Sequence, residues 1–350
     1  MRLPIDLPVQ PMLAKAVPQV PLGPGLAYEP KWDGFRCLVL RDGDEVELAS
    51  RGAKPLTRYF PEVIDHVRTL LPQRCVVDAE IVVRSGPPGA QRLSWEALSQ
   101  RIHPAESRVR RLAAETPAEL VCFDLLAVGD ESLLGTPFGQ RRARLERLLG
   151  HLTESDPIHL TAVTTDPAVA QEWFERFEGA GLDGVVAKPV DAAYQPNKRA
   201  MFKVKHKRTA EAVVFGYRVH TSGRGVGSLL LGLYDDRGRL LPVGGIAAFP
   251  AARRVELEDE FEALALRDDS GAIRAAATDR SRFSSGKDAA FVPVRPERVV
   301  EVAFDQMEGH RFRHAVTFLR WRPDRDPASC LLDQVERAPA YDLAEVLGAR

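Results

Sequence analysis

Tyr28-Glu29-Pro30-Lys31-Trp32-Asp33-Gly34-Phe35-Arg36 is the stretch on which the reading of this chain turns. It sets one lysine beside an acid, a glycine and an arginine in the spacing Lys-x-Asp-Gly-x-Arg. One match of that length arises by chance, and most lysines are solvated surface residues. The ordered run of further segments downstream argues against chance. Asp78-Ala79-Glu80-Ile81 comes next, then Phe123-Asp124, then Asp183-Gly184-Val185-Val186-Ala187-Lys188, then Phe202-Lys203-Val204-Lys205. In the last segment, period-two alternation puts Lys203 and Lys205 on one face of a strand and Phe202 and Val204 on the other. One face can line a phosphate site while the other packs into a core.

Around these segments the chain first alternates strand and helix signals. Phe35 to Leu40 and Val46 to Ala49 read as strands flanking an Asp42-Gly43-Asp44 hairpin signal. Pro61 opens a helix with Phe60, Val63, Ile64, Val67, Leu70 and Leu71 on one face, and Pro72 closes it. Cys75 to Val83 and Leu120 to Val128 read as buried strands. Arg141 to Leu149 reads as a basic amphipathic helix, and Glu172 to Glu178 as a helix ended by Gly179 and Gly181. After Arg208 the texture changes to short strands, at Ala212 to Val219, Ser228 to Tyr234, Leu240 to Val243 and Val299 to Phe304. Gly-rich turns separate them and one helix, Ala251 to Leu266, interrupts, which fits a small barrel. Two domains are therefore expected, 1–208 and 209–350. Ser85 to Ala90 and Asp279 to Asp288, rich in Gly and Pro or in Ser, are expected to be mobile.

The 350 residues suffice for two domains with separate cores. The net charge of −1 gives no global basic field, so any contact with nucleic acid needs local concentration of basic residues. Lys198 to Arg208 supplies it, with six Lys/Arg, one His and no acid. Met1 to Val20 lacks the apolar stretch of a secretory signal, and no run approaches the ~18 apolar residues of a membrane span. A cytoplasmic protein is expected. The four cysteines, Cys37, Cys75, Cys122 and Cys330, show no Cys-x-x-Cys spacing and read as buried free thiols. His310 and His314, with no Cys or carboxylate at ligand spacing, give no metal site.

As an ordered set, these signatures resemble the covalent nucleotidyltransferases, and most closely the ATP-dependent DNA ligases. The overall brevity is similar to that of the minimal two-domain bacterial ligases of the LigC type. The resemblance covers roughly residues 30 to 325. It implies an α+β fold: a nucleotidyltransferase (ATP-grasp-like adenylation) domain of antiparallel sheets and helices, followed by a C-terminal OB-fold β-barrel. It also implies ATP as co-substrate, Mg²⁺ (or Mn²⁺) as metal, and nicked duplex DNA as partner. The implied reaction has three steps: AMP is loaded on a lysine, passed to the 5′-phosphate of a nick, and released as the 3′-hydroxyl seals the strand. The domains would flank a cleft and close during the first step.

The same resemblance assigns roles. Lys31 would attack the α-phosphate and carry AMP. A free lysine has a pKa near ~10.4 and attacks poorly at neutral pH, so Lys203, Lys205 and a metal ion are expected to lower it. Arg36 would hold the ribose and later the 5′-phosphate. Glu80 would bind a ribose hydroxyl or orient the metal, and Phe123 would stack on the base. Asp183, where glutamate is commoner in the family, would be a metal ligand. Lys188, Lys203 and Lys205 would bind nucleotide, the two last stabilising phosphate charge. Arg322 and Arg325 belong to Arg322-Pro323-Asp324-Arg325, which matches the family's last signature with Arg replacing its final Lys. They would orient the departing pyrophosphate. Lys198, Arg199, Lys207 and Arg208 read as contacts to the DNA backbone. Arg51, in Ser50-Arg51-Gly52, would contact the nick.

Glu29 carries the choice of base. An ionised carboxylate only accepts hydrogen bonds, so it favours adenine, with an amino group at C6, over guanine, with a carbonyl there. A GTP-using capping-type guanylyltransferase is the alternative enzyme, and a catalytically weak nick-binding protein is the alternative outside catalysis. The start of the chain close to the lysine suggests that no N-terminal DNA-binding domain precedes it. Within the family such short ligases serve DNA repair, as monomers at the nucleoid, with a primase-like repair polymerase as possible partner. Replication and recombination are the other settings in which nicks are sealed.

Overall fold

The structure, a computed structural model, describes residues 1–52, 54–247, 249–273, 276–277, 290–335 and 340–348. The segment Asp279 to Asp288 lies outside them. The chain divides into two compact units, Met1–His206 with Ala338–Arg350, and Lys207–Arg337. The division falls within two residues of the expected boundary, but the second domain does not run to residue 350. Leu343, Val346 and Leu347 join Trp32, Val82, Leu93 and Phe177 in one buried cluster of the first unit. Burying three large apolar side chains, each worth roughly 1.5–3 kcal/mol, is reason enough for the chain to return there.

The first unit is built on two sheets. One runs in the order Glu45–Ser50, Phe35–Asp42, Arg74–Ser85, Ala118–Val128, Glu131–Ser132. The other runs Leu13–Ala16, Arg199–Lys205, Gly184–Pro189, Leu26–Lys31. Alternation decides what each face meets. Cys37, Val39, Val77, Ala79 and Ile81 pack with Val63, Ile64 and Val67 of the Pro61–Leu70 helix. Leu38, Leu40 and Val76 face the opposite way, into a core shared with Tyr194 and Met201. Asp78 and Glu80 are in phase with Val76 and so point to that same side. On the second sheet, Tyr28, Val185, Ala187 and Val204 pack with Ala170 of the Pro167–Arg176 helix, leaving the alternate residues for the site.

The basic helix is longer than expected, Phe138–Leu149, and two of its four arginines, Arg141 and Arg142, are buried. Arg141 is fully buried and bidentate on Asp124, at 2.7 and 2.9 Å, and Arg142 is 7% exposed. All four cysteines are buried and free. Ser85 to Ala90 forms a turn closed by the Ala90 N–H donating to the Pro87 carbonyl.

The second unit centres on an antiparallel sheet in the order Leu240–Ile246, Val226–Tyr234, Arg208–Val219, Ala290–Phe304, with Thr317–Trp321 also on the last of these. The Ala251–Glu262 helix closes its core with Leu257 and Phe261. Thr317–Trp321 was not legible as a strand, because only Phe318 and Trp321 of it pack inward. Among the described residues no helix is long and apolar enough to cross a membrane.

Candidate active site

Strand register assembles the site. Gly184 lies opposite Lys31 on one neighbouring strand and opposite Lys205 on the other. Val186, two residues on, lies opposite Glu29 and Lys203. Residues directly opposed in antiparallel strands share a face, so Lys31 and Lys205 form one row, and Glu29, Val186 and Lys203 the next. Gly184 has φ +138°, and a Cβ there would sit 2.0 Å from the Val204 carbonyl oxygen. Only glycine fits between the two lysine strands.

Asp183, just before that glycine, takes both ammonium groups on one oxygen. Lys31 Nζ is 2.6 Å and Lys205 Nζ 2.7 Å from Asp183 Oδ2. Burial alone would raise the Asp183 carboxyl, but the two lysines outweigh it and hold its pKa below the ordinary value. The reciprocal effect acts on Lys31. Burial pulls the Lys31 ammonium down, yet Asp183, with Asp33 and Glu80, more than offsets it, and its pKa stands above that of a free lysine. Lys203 is the lysine whose pKa is lowered, first by burial and then by Lys205, Lys31 and Arg51. The difference is position: Lys31 lies against the carboxylate and Lys203 among cations.

These residues open on a cavity of about 850 Å³, within the usual range for a small-molecule site. Glu29, Lys31, Arg36, Arg51, Glu80, Phe123, Lys188, Arg199, Lys203 and Lys205 all line it, as do Val186 and Met201. Nearly every nucleotide-site residue expected of the first unit therefore converges on one space.

Glu80 is enclosed beside Lys31. Its Oε1 accepts from the Gly34 N–H at 3.0 Å, and burial pushes its carboxyl up to about 8 against the pull of Lys31 and Arg36. A Cβ at Gly34 would stand 2.1 Å from the Ile81 carbonyl oxygen, so the glycine of the opening motif lets the two strands approach. Arg36 is locked. Its Nε and Nη2 donate to Asp78 at 3.0 and 2.6 Å, and the Tyr194 hydroxyl donates to Asp78 Oδ2 at 2.6 Å. Burial opposes the Arg36 charge, but Asp78 holds its pKa well above the ordinary arginine value. The Arg36 guanidinium lies 5.5 Å from the centre of the Phe123 ring, fixing ring and cation together.

Glu29 is 2% exposed. Its Oε2 pairs with Lys188 Nζ at 2.7 Å, while its Oε1 has no hydrogen-bond partner. Lys188 also donates to the Phe123 carbonyl at 3.2 Å and lies 4.9 Å from that ring. Burial raises the Glu29 carboxyl, with Lys188 and then Arg142 opposing it. A buried carboxylate oxygen without a partner, on a residue that lines a ligand-sized cavity, is an acceptor lacking its donor.

Among the described residues no three His, Cys, Asp or Glu converge as a metal cluster. Mg²⁺ is commonly held by one or two carboxylates, with phosphate oxygens and waters completing its shell. Glu80 lines the cavity and Asp183 stands just behind it, against Lys31 and Lys205, so the two carboxylates fit a cation that arrives with a nucleotide.

The remaining expected residues stand elsewhere. Lys198 and Lys207 are exposed and Arg208 is partly buried, donating to the Asp305 carbonyl. Arg322 and Arg325 belong to the second unit. Arg322 is 2.8 Å from Asp324, pairs with Glu211, and lies 3.6 Å from Glu301; Arg325 is 2.8 Å from Glu211. Sequence reading missed Asp78 as the brace of Arg36, although its phase with Glu80 could have shown it. Nothing in the sequence pointed to Tyr194, Met201 or Arg142.

Two lysines sharing one carboxylate, with a braced arginine and a third lysine on the same cavity, are the arrangement expected of a covalent nucleotidyltransferase. The family model of the ATP dependent DNA ligase domain matches residues 11–205, and that of the ATP dependent DNA ligase C terminal region matches residues 222–325. DNA ligase C of Mycobacterium tuberculosis is 53% identical over 99% of both chains, and DNA ligase C2 of Mycolicibacterium smegmatis is 54% identical over 97% of both. A solved structure from work on Lig E DNA ligases shares the fold, with TM-score 0.55 and 16% identity over 91% of this chain and 100% of that one. The chain belongs to the ATP-dependent DNA ligases, which seal nicks through a lysyl-AMP intermediate. The capping-type alternative finds no support in these matches.

Proposed function

We propose that Lys31 is the residue adenylated and that the cavity beside it takes the ATP. One observation carries this reading: Lys31 and Lys205, which share Asp183, line a cavity of about 850 Å³ together with Glu29, whose buried Oε1 has no hydrogen-bond partner. Glu29 accepts from the adenine amino group, and Phe123 and Val186 lie against the base. Arg36, held by Asp78 and Tyr194, and Glu80 receive the ribose. Lys203 and Lys205 face the phosphates, and Arg199, expected on the DNA backbone, lines the same cavity and is reassigned to them. Asp183 would hold the Mg²⁺ (or Mn²⁺), with Glu80 near it; when bound, the cation neutralises triphosphate charge.

In the first step Lys31 Nζ bonds to the α-phosphorus, the bond to the β-phosphate oxygen breaks, and pyrophosphate leaves with the electron pair. Lys31 must first lose a proton. In the resting structure Asp183 holds that proton in place, so a carboxylate engaged away from Lys31 is what frees the amine. Arg322 and Arg325 act on the pyrophosphate side during this step. Arg51, Lys198, Lys207 and Arg208 then contact the nicked duplex. We further infer that the enzyme works in DNA repair as a monomer at the nucleoid, alongside a primase-like polymerase; the likeness to the short two-domain ligases supports this.

The test uses protein stripped with pyrophosphate, then incubated with Mg²⁺ and α-labelled ATP or GTP. Label from ATP should remain on the protein through a denaturing gel and vanish in Lys31→Ala, along with sealing of ordinary nicks. Wild-type loading by the variant would end the assignment.

A further inference from the structure

Behind Glu29 stands a second buried charge that no role above uses. Arg142 is 7% exposed and sits on the Phe138–Leu149 helix. Two of its three nitrogens are anchored: Nε donates to Glu146 at 2.7 Å, and Nη2 donates to the Thr161 carbonyl at 2.7 Å. Thr161 also accepts, at its hydroxyl, the Trp32 indole N–H at 2.8 Å, so the anchor is tied to the residue beside Lys31. The third nitrogen, Nη1, has no hydrogen-bond partner and lies 3.8 Å from Glu29 Oε1, the carboxylate oxygen that also has none. Both are buried, they carry opposite charge, and they stop short of bonding.

That spacing has a use. A guanidinium in contact with Oε1 would occupy the acceptor and close it to a ligand. At 3.8 Å it attracts the carboxylate without consuming its lone pair. Lys188 fixes the other oxygen at 2.7 Å. The carboxylate is therefore held from two sides and keeps one buried oxygen unbonded, on a residue of the cavity wall. Burial works against the Glu29 charge, and Lys188 and Arg142 are the cations that oppose it. A protonated Glu29 could donate to a carbonyl, and the distinction between the two purines would weaken.

We propose that Arg142 is a specificity-determining positioning residue: through Glu29 it makes the enzyme select a purine with an amino group at C6 over one with a carbonyl. The inference rests on the reading that Glu29 faces the base.

The experiment measures lysyl-AMP and lysyl-GMP formed from labelled ATP and GTP on the full chain, for wild type, Arg142→Met, Arg142→Gln, Arg142→Lys and Glu29→Gln. Thermal melting identifies the folded variants, and either neutral replacement of Arg142 suffices if the other fails to fold. The neutral variants should lose about tenfold or more of the ATP preference, with KM for ATP rising more than the maximal rate falls. Arg142→Lys, which keeps the charge without the anchored fork, should recover part of the preference. A purely structural arginine would slow loading from both nucleotides and leave their ratio unchanged, which would overturn the proposal. Glu29→Gln separates the two layers. Lost preference there with an unchanged ratio in the Arg142 variants would leave Glu29 as the reader and remove Arg142. An unchanged ratio in Glu29→Gln would sink the base-reading role itself.

Discussion

Two clusters of charged side chains carry the signature residues of this ligase, and they are balanced in opposite ways. In the first unit Lys31 and Lys205 share one carboxylate, Asp183, with Lys203 close by and Glu80 raised to about 8. In the second unit Arg322 and Arg325 meet Glu211, Glu301 and Asp324. The first has surplus positive charge around an open cavity, and the second is neutralised by its own surroundings. A cluster of the first kind is preorganised for a triphosphate, whereas one of the second kind must exchange carboxylate partners before it can hold an anion. The same residue types in comparable motifs thus differ in what they can do at rest.

The largest effect that would break this contrast is at Asp183. Asp183→Asn should cut Mg²⁺-dependent AMP loading on the order of a hundredfold. At the same time Lys31 should react faster with a small amine-modifying reagent at neutral pH, read by peptide mass spectrometry, because the carboxylate that raises its pKa is gone. A loss of loading without that gain would mean that Asp183 does not govern the Lys31 proton.

A smaller and more selective effect is expected in the second cluster. Arg322→Ala and Arg325→Ala should each slow AMP loading by about tenfold while leaving the sealing of a pre-adenylated nick near wild type. Equal losses in both assays would mark the arginines as ties of the second unit and erase the functional half of the comparison.

The smallest effect is thermal. The folded pKa of Glu80, about 8, lies above its ordinary 4.5. Its contribution to stability is therefore full below pH 4.5 and is lost as pH rises through about 8. Glu80→Gln keeps an acceptor for the Gly34 N–H and cannot ionise. It should melt a few degrees above wild type at pH 9, with the gap closing toward pH 5. A constant gap across that range would show that burial does not shift Glu80 as described.

Much of the site was legible because its information is local. The Lys-x-Asp-Gly-x-Arg spacing singled out Lys31, and alternation put Lys203 and Lys205 on one face. The donor–acceptor rules for a carboxylate proposed Glu29 as the reader of the base. Periodicity and turn chemistry are properties of neighbouring residues, and the chain writes them directly. The direction of the Lys31 pKa could not be had that way. It depends on a carboxylate 152 positions away, brought to 2.6 Å by the pairing of two strands. The Asp78–Tyr194 brace, separated by 116 positions, is of the same kind. So are the return of the last helix to the first unit and the unbonded approach of Arg142 to Glu29. The sequence by itself determined which groups could do the chemistry and which faces they would share. Only tertiary packing decided their charge states and partners, since desolvation and ion pairing act through space on groups that the chain places far apart.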